Sequence, residues 1–268
     1  MTALLINRGP DDEGYWVDPD GFDQFGFRRL SILDLSAAGH QPMISADGRS
    51  VLVFNGELYN FPDLRRERES HGHVFRSRTD SEVVLESINR WGAAALERFN
   101  GMFALAFYDT VDKRLLLARD HAGIKPLYYA FHPSTKSVAF ASQFNCLIHS
   151  PWGRPGPLRE DVLRLYLELH HIPPPYGLFE NTYQLEPGHM LMIEADGSIE
   201  KRAWYTLPRD PEPHINPADA PAVLREALDG AVRRQRIADV PLGVFLSGGI
   251  DSPLVAAPFA YLFFTWCS

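Results

Sequence analysis

The run Val51-Leu-Val-Phe54 is wholly apolar and lies between Gly48 and Asn55-Gly56, which predicts a buried strand that stops at a polar Asn55-Gly56-Glu57. Read alone, Asn-Gly is first of all a hairpin-turn signature. Phe25 to Ile32 is strand-like with Arg28 and Arg29 embedded in it, and Arg8-Gly-Pro-Asp-Asp-Glu-Gly14 before it reads as a turn. Neighbours on a strand point to opposite faces, so the two arginines predict different roles. Asn60-Phe-Pro-Asp-Leu64 predicts a helix start with Asn60 as N-cap and Gly72 as the stop, followed by a short strand His73-Val-Phe75. Thr79 and Glu82 form a capping-box pattern ahead of Val83, Val84, Ile88 and Trp91, which places Asp80 in the first turn of a helix ending at Gly92.

Four strand-like runs follow, Met102–Asp109, Arg114–Ala118, Leu127–Phe131 and Ser137–Ala141, separated by polar turns. Their close spacing predicts an antiparallel meander and an α+β fold for this part of the chain. Val162, Leu163, Tyr166 and Leu167 predict a helix over Leu158–Leu169, ended by Pro173-Pro-Pro175. His170-His171 suits the C-terminal end of that helix. Pro208 to Pro217 is too proline-rich for a packed element and reads as a linker. An amphipathic helix is expected from about Ala218 to Ala238, then a buried strand over Leu242–Leu246 running into Ser247-Gly-Gly-Ile-Asp-Ser252.

Composition narrows the classes. The 268 residues are 45% hydrophobic and 22% charged, enough for one large or two smaller packed domains. With 26 Lys plus Arg against 34 Asp plus Glu the net charge is −8, which disfavours a nucleic-acid partner. Cys146 and Cys267 are the only cysteines in the sequence, which fits a reducing, cytoplasmic setting better than a disulfide scaffold. The first residues lack the basic region and cleavage pattern of a signal peptide. The apolar stretch Pro253–Cys267 is too short for a membrane span and carries Pro253 and Pro258. His71 and His73 have no companions at metal-ligand spacing.

Two stretches carry chemistry. A glycine-rich loop between a strand and an acidic helix start can direct backbone N–H groups at a phosphate, and this one lacks the lysine of a Walker A loop. The other combination suits a small amino acid: an arginine fork for a carboxylate, an acid for an ammonium, and Asn55 with Gly56 as donors toward an oxyanion. The nucleophile is not evident. Thr2 would serve only after removal of Met1, and nothing around it suggests activation. For Asp80 alone, the helix dipole is a sufficient explanation.

Together, Arg8-Gly-Pro-Asp11, Arg29-Leu-Ser-Ile32, Asn55-Gly-Glu57, Asp80, Gly101-Met-Phe-Ala104, Ala118 to Tyr128, Leu185-Glu-Pro-Gly188 and Leu246-Ser-Gly-Gly-Ile-Asp-Ser252 resemble, in the same order, the glutamine-hydrolysing asparagine synthetase family. The resemblance implies a class II glutamine amidotransferase-like domain over 1–205 with the four-layer αββα sandwich of N-terminal-nucleophile hydrolases. It also implies a linker over 206–217 and, over 218–268, the start of an α/β, Rossmann-like ATP-pyrophosphatase domain. Arg29 to Ile32, Asn55, Gly56, Glu57 and Asp80 would bind glutamine, with Arg29 on the α-carboxylate, Glu57 and Asp80 at the amino end, and Asn55 with Gly56 as the oxyanion hole. Leu246, Ser247, Gly248, Gly249, Asp251 and Ser252 would bind ATP, which with Mg²⁺ activates aspartate for attack by ammonia. A homodimer is one form open to the complete enzyme.

Family members begin with Met-Cys, the cysteine being the nucleophile, and that segment has no counterpart before Arg8. The chain is therefore expected to be a fragment, inactive alone, with a C-terminal tail that reads as truncated or frameshifted and prolines that interrupt its helix. A β-lactam-synthetase-like relative without glutaminase activity and a non-catalytic glutamine-binding module are the alternatives.

Overall fold

The computed structural model describes the chain except residues 22, 151–155, 210–214 and 265–268. Cys267 and the middle of the proline-rich stretch lie outside the described residues. The chain divides into two compact units, Met1–Thr206 and Leu207–Ser268.

The first unit is built on antiparallel strands. β1 (Asp12–Val17) pairs with β2 (Gln24–Arg29) as a two-stranded sheet. β3 (Met43–Ile44), β4 (Ser50–Leu58), β5 (Gly101–Asp109), β6 (Arg114–Arg119), β10 (His189–Ile193) and β11 (Ile199–Ala203) form a six-stranded sheet in the order β11-β10-β6-β5-β4-β3. β7 (Tyr128–His132), β8 (Ser137–Ala141) and β9 (Thr182–Gln184) form a third, in the order β8-β7-β9.

Alternation along each strand places two apolar sets on opposite faces of the large sheet. On one face α2 (Asp80–Trp91) packs on β4, with α1 (Phe61–Ser70) beside it. On the other, Val51, Ala104, Ala106, Tyr108, Leu117 and Leu191 share a core with Phe25, Leu127 and Tyr129 from the small sheets. α3 (Phe144–Ile148) covers the outer side of β7 and β8, so the layers run helix, sheet, sheet, helix. This is the expected α+β sandwich. α4 (Glu160–Leu169) buries only Val162 and leaves Leu163, Tyr166, Leu167 and Leu169 exposed.

Several local expectations are corrected. β4 does not stop at Asn55; it pairs with β5 through Leu58, so Asn55-Gly56-Glu57 is strand and not a turn. β1 begins at Asp12, which shortens the Arg8–Gly14 turn. His73–Phe75 forms no strand: His73 packs edge-on to Phe75 and lies 3.9 Å from Glu86. Asn60 does not cap α1 with its side chain, which instead accepts from Asn100 N–H and donates to Arg98 O. The capping box is half made: Thr79 accepts from Glu82 N–H, but the Glu82 carboxylate turns to Arg76 and Ser77. The meander breaks between β6 and β7, because Asp120 folds the intervening loop onto its own carboxylate.

The second unit contains α5 (Ala220–Arg234) and α6 (Asp251–Phe264), packed on each other. Leu242–Leu246 is not a strand, and Phe245 is fully exposed. A lone strand leaves its backbone groups unpaired, and Leu207–Ser268 supplies no strand to it among the described residues. Pro253 and Pro258 do not interrupt α6: Pro253 falls in the first turn, where its missing N–H has no intrahelical partner to lose, and Pro258 is carried inside the helix. None of the described helices is long and apolar enough to cross a membrane.

Trp204 stacks on Phe103 and donates from Nε1 to Arg119 O at 3.2 Å, so the first unit is closed through its last residues. α5 buries no residue. A chain cut after Thr206 is accordingly expected to keep a cooperative thermal transition within a few degrees of the full chain by calorimetry. A drop of more than about 10 °C, several kcal/mol for a domain of this size, would show that the boundary is misplaced.

Candidate active site

The alternation that buries Val51 and Val53 carries Asn55 and Glu57 to the same face of β4, at the end of the inter-sheet core. There they border a cavity of about 1140 Å³ that Arg29, Leu30, Ile32, Gln41, Gly56, Asp80 and Lys125 also line. Ser31 is not among the lining residues; its N–H donates to Asp11 at 2.7 Å. The sequence-predicted residues from three separate segments thus meet at one place.

Asp80 is set by two elements at once. Thr79 caps α2, which puts Asp80 in the first helical turn, and Leu58 at the end of β4 donates its N–H to Asp80 Oδ2 at 2.9 Å. Burial, reinforced by the nearby Glu57 charge and opposed by the backbone donors, pushes the Asp80 carboxyl up to about 6. Burial likewise raises Glu57, against the pull of Lys125. Tyr59 is pushed up to about 12 by burial beside Glu57 and Asp120. Two poorly solvated carboxyls to which no cation is bonded among the described residues suit an incoming ammonium.

Asn55 Nδ2 donates to Ser142 Oγ at 3.3 Å, which leaves its second amide hydrogen for another acceptor. Gly56 is required by close approach: a Cβ there would lie 2.2 Å from Met102 O on β5. Gln41 donates to Phe54 O and accepts from Phe54 N–H, fixing β4 where it enters the site.

Arg28 and Arg29 do part, as strand alternation requires. Arg28 pairs with Glu13, while Arg29 is buried and donates to Ser36 O, Leu33 O and Asp34 O. Gly39 makes room for that guanidinium, since a Cβ would sit 1.9 Å from Nη2. Asp34, in a left-handed conformation, accepts from Ser36 and from Arg78 N–H, bonds that hold its carboxyl below the usual range. The segment Leu30–Ser36 is therefore tied at one end to Arg29 and at the other to the residue two before Asp80.

Ser142 and Gln41 line the cavity without any mark in the sequence as site residues. Asn55 and Ser142 stand 87 positions apart, and no local pattern marks such a pair. Lys125 stands on the cavity wall, and its charge favours the ionised form of Glu57. The one described cysteine, Cys146, is buried on α3, and burial raises its thiol, away from the nucleophilic thiolate.

In the second unit, the loop before α6 closes on itself. Ser252 Oγ accepts from Ser247 N–H at 2.9 Å and lies 2.8 Å from Ser247 Oγ, and Gly249 N–H donates to Ser247 Oγ. Leu246 is exposed, and a Cβ at Gly248 would meet nothing within 4 Å.

Residues 1–205 match the family model described as glutamine amidotransferase domain, and residues 223–261 match that of asparagine synthase. A putative glutamine-hydrolysing asparagine synthetase of Mycobacterium bovis is 39% identical over 96% of this chain and 41% of its own length. Glutamine-hydrolysing asparagine synthetase 1 of Bacillus subtilis is 34% identical over 96% of this chain and 39% of its own length. The chain thus spans about two fifths of the curated relatives it matches. A solved glutamine phosphoribosylpyrophosphate amidotransferase of B. subtilis, with ADP and GMP, aligns over 89% of this chain and 49% of its own at 19% identity and a TM-score of 0.48. Through residues 1–205, which hold the whole of the cavity wall just described, the chain belongs to the glutamine amidotransferase domain family.

Proposed function

We propose that the first unit binds L-glutamine and that the chain is the glutamine-recognising part of a glutamine-hydrolysing asparagine synthetase. The observation that supports it best is the buried Asp80 carboxylate, held by Leu58 N–H and, among the described residues, bonded to no cation, on the same wall as Glu57, Asn55 and Gly56. In this reading Asp80 and Glu57 take the α-ammonium, Arg29 the α-carboxylate, and Asn55 Nδ2 with the Gly56 N–H the side-chain carbonyl oxygen. That last pair would stabilise an oxyanion when a thiolate attacks the amide carbon and ammonia leaves. The thiolate is not Cys146, so the chain alone is expected to bind without turnover.

The second unit would hold ATP through Ser247 to Ser252. Its donor set fits a phosphate: two hydroxyls, two successive glycines, of which Gly248 has open space around it, and the start of a helix. Asp251 adds a carboxylate, and Mg²⁺ is held by few carboxylates together with nucleotide phosphates. When bound, the nucleotide would supply adenylyl activation of aspartate; this chain's residues would hold its phosphates. The sparse cysteines support a cytoplasmic setting.

Titration calorimetry with L-glutamine tests the first reading. Saturable binding is expected at pH 7.5, with ammonia release no greater than the blank. Asp80 is ionised above about 6 and neutral below, so affinity should fall by up to tenfold for each pH unit below 6. Absence of binding heat, or binding unchanged between pH 7.5 and 5, would reject the assignment.

A further inference from the structure

The two ends of β4 border different cavities. Asn55 to Glu57 face the one already described, whereas Ser45, Asp47 and Arg49, in the turn that leads into β4, border another of about 640 Å³. That volume suits a small molecule, for which sites run from about 300 to 1,000 Å³. Its floor is a row of apolar side chains in register across three strands of the six-stranded sheet, Phe107 of β5, Leu116 of β6 and Met192 of β10. Partners across a sheet share a face, here the face opposite Tyr108, Leu117 and Leu191.

One wall is α2, and it brings Glu86, only 8% exposed, to the cavity. Glu82, one turn earlier on the same helix, shows how a buried carboxylate is normally satisfied: Arg76 N–H, Ser77 N–H and Ser77 Oγ donate to it at 2.8, 2.6 and 2.6 Å. Glu86 receives much less. Asn89 Nδ2, oriented by a 2.6 Å bond from Ser50 Oγ to its own Oδ1, is 3.5 Å from Glu86 Oε2, and His73 Nε2 is 3.9 Å away. Both distances exceed a normal N–H···O bond, and no other donor reaches this carboxylate among the described residues. A buried carboxylate is stabilised by bonded donors, and the cavity is the side from which one can come. The surrounding charge selects the sign of that donor. Arg49 already pairs with Asp109 and Asp112, and Arg114 with Glu194, so an anion would have to break an ion pair. The last turn of α2, whose carbonyl end carries negative partial charge, borders the cavity through Ile88 and Asn89.

We propose that this cavity is a second small-molecule site, which takes an organic monocation: a charged head with N–H donors sits on Glu86, and a flat apolar body lies over Phe107, Leu116 and Met192. An amidinium or guanidinium head meets both carboxylate oxygens at once, the geometry that makes such pairs strong. The apolar row gives the body its affinity, and Glu86 gives the selectivity for charge. The proposal does not depend on glutamine binding, because the two cavities share no lining residue among those described.

The test titrates benzamidine into the full chain carrying NMR-labelled Met and Ile methyl groups, beside benzamide, a neutral analogue of nearly the same shape. Saturable shifts are expected at Met192 and Ile88, with a Kd of about 1 mM or below, and none at Ile32 on the first cavity. Benzamide should bind at least about tenfold more weakly, and Glu86→Gln should weaken benzamidine by a similar factor, since each removes a charge from the pair. Shifts at Ile32 without shifts at Met192 and Ile88 would put the cation in the first cavity and overturn the proposal. Equal binding of benzamide, or no saturable shift up to about 10 mM benzamidine, would do the same. The methyl map and the benzamide comparison use the unaltered chain, so they decide the question even where Glu86→Gln fails to fold. A folded Glu86→Gln chain that binds benzamidine undiminished would also reject the site.

Discussion

Asp120→Ala is expected to lower the stability of the first unit by about 4–6 kcal/mol. The Asp120 carboxylate is buried and accepts four backbone bonds: Ala122 and Ile124 N–H on Oδ1, Phe103 and Lys125 N–H on Oδ2. Removing it leaves four donors without a partner at once, each costing about 1–3 kcal/mol unless water enters. Thermal unfolding should shift down by roughly 10–20 °C. Asp120→Asn should recover less than half of this, because its amide keeps one acceptor and turns an NH₂ toward donors. A loss below about 1 kcal/mol for the alanine variant would mean that water replaces the carboxylate freely and that the loop to Lys125 is held by something else.

Asp80→Asn should move stability and binding in opposite directions. The carboxyl is raised from 3.8 to about 6, so the folded protein binds more protons than the unfolded one between those values. Stability is therefore lost as pH rises through that window, by about 3 kcal/mol at pH 7. An asparagine keeps an acceptor for Leu58 N–H and removes the charge, so the variant should gain about 2 kcal/mol at pH 7.5 and nothing near pH 4. Glutamine affinity should fall about 100-fold, the worth of a charged hydrogen bond to the ammonium. Calorimetric melting at both pH values and glutamine titration read the two effects separately. A variant that is destabilised at pH 7.5 would make Asp80 a structural carboxylate, and one that binds normally would remove it from the site.

The readable parts of this molecule were those in which local chemistry and tertiary demand agree. Thr79 followed by Asp80 and Glu82 announces a helix start, and the helix is there because nothing in the fold opposes it. Strand alternation separated Arg28 from Arg29 before any partner was known, since period two is a property of the backbone. Asn55-Gly56 misled because the dipeptide favours a turn locally, whereas its nine-residue partner β5 draws β4 onward to Leu58. The break between β6 and β7 was illegible for a related reason: Asp120 looks like an ordinary turn residue until its four donors, one of them 17 positions away, are in place. Leu242–Leu246 has the composition of a buried strand, but a strand is completed by its neighbours and not by its own residues. Ser142 reached the site through a fold that brings β8 beside β4, information that no window of sequence contains.

Arg29 already has three carbonyl oxygens in its grip, those of Leu33, Asp34 and Ser36. Whatever it grasps from the cavity competes with them, so recognition at that end becomes an exchange of acceptors. A neutral amide oxygen offers no more than the carbonyls it would replace. An anion does, because hydrogen bonds to a charged acceptor are roughly twice as strong. On the glutamine reading proposed for this cavity, the segment Leu30–Ser36 would act as an internal competitor against which ligands are measured, and glutamine derivatives whose α-carboxyl is amidated or esterified are expected to bind more weakly than glutamine itself.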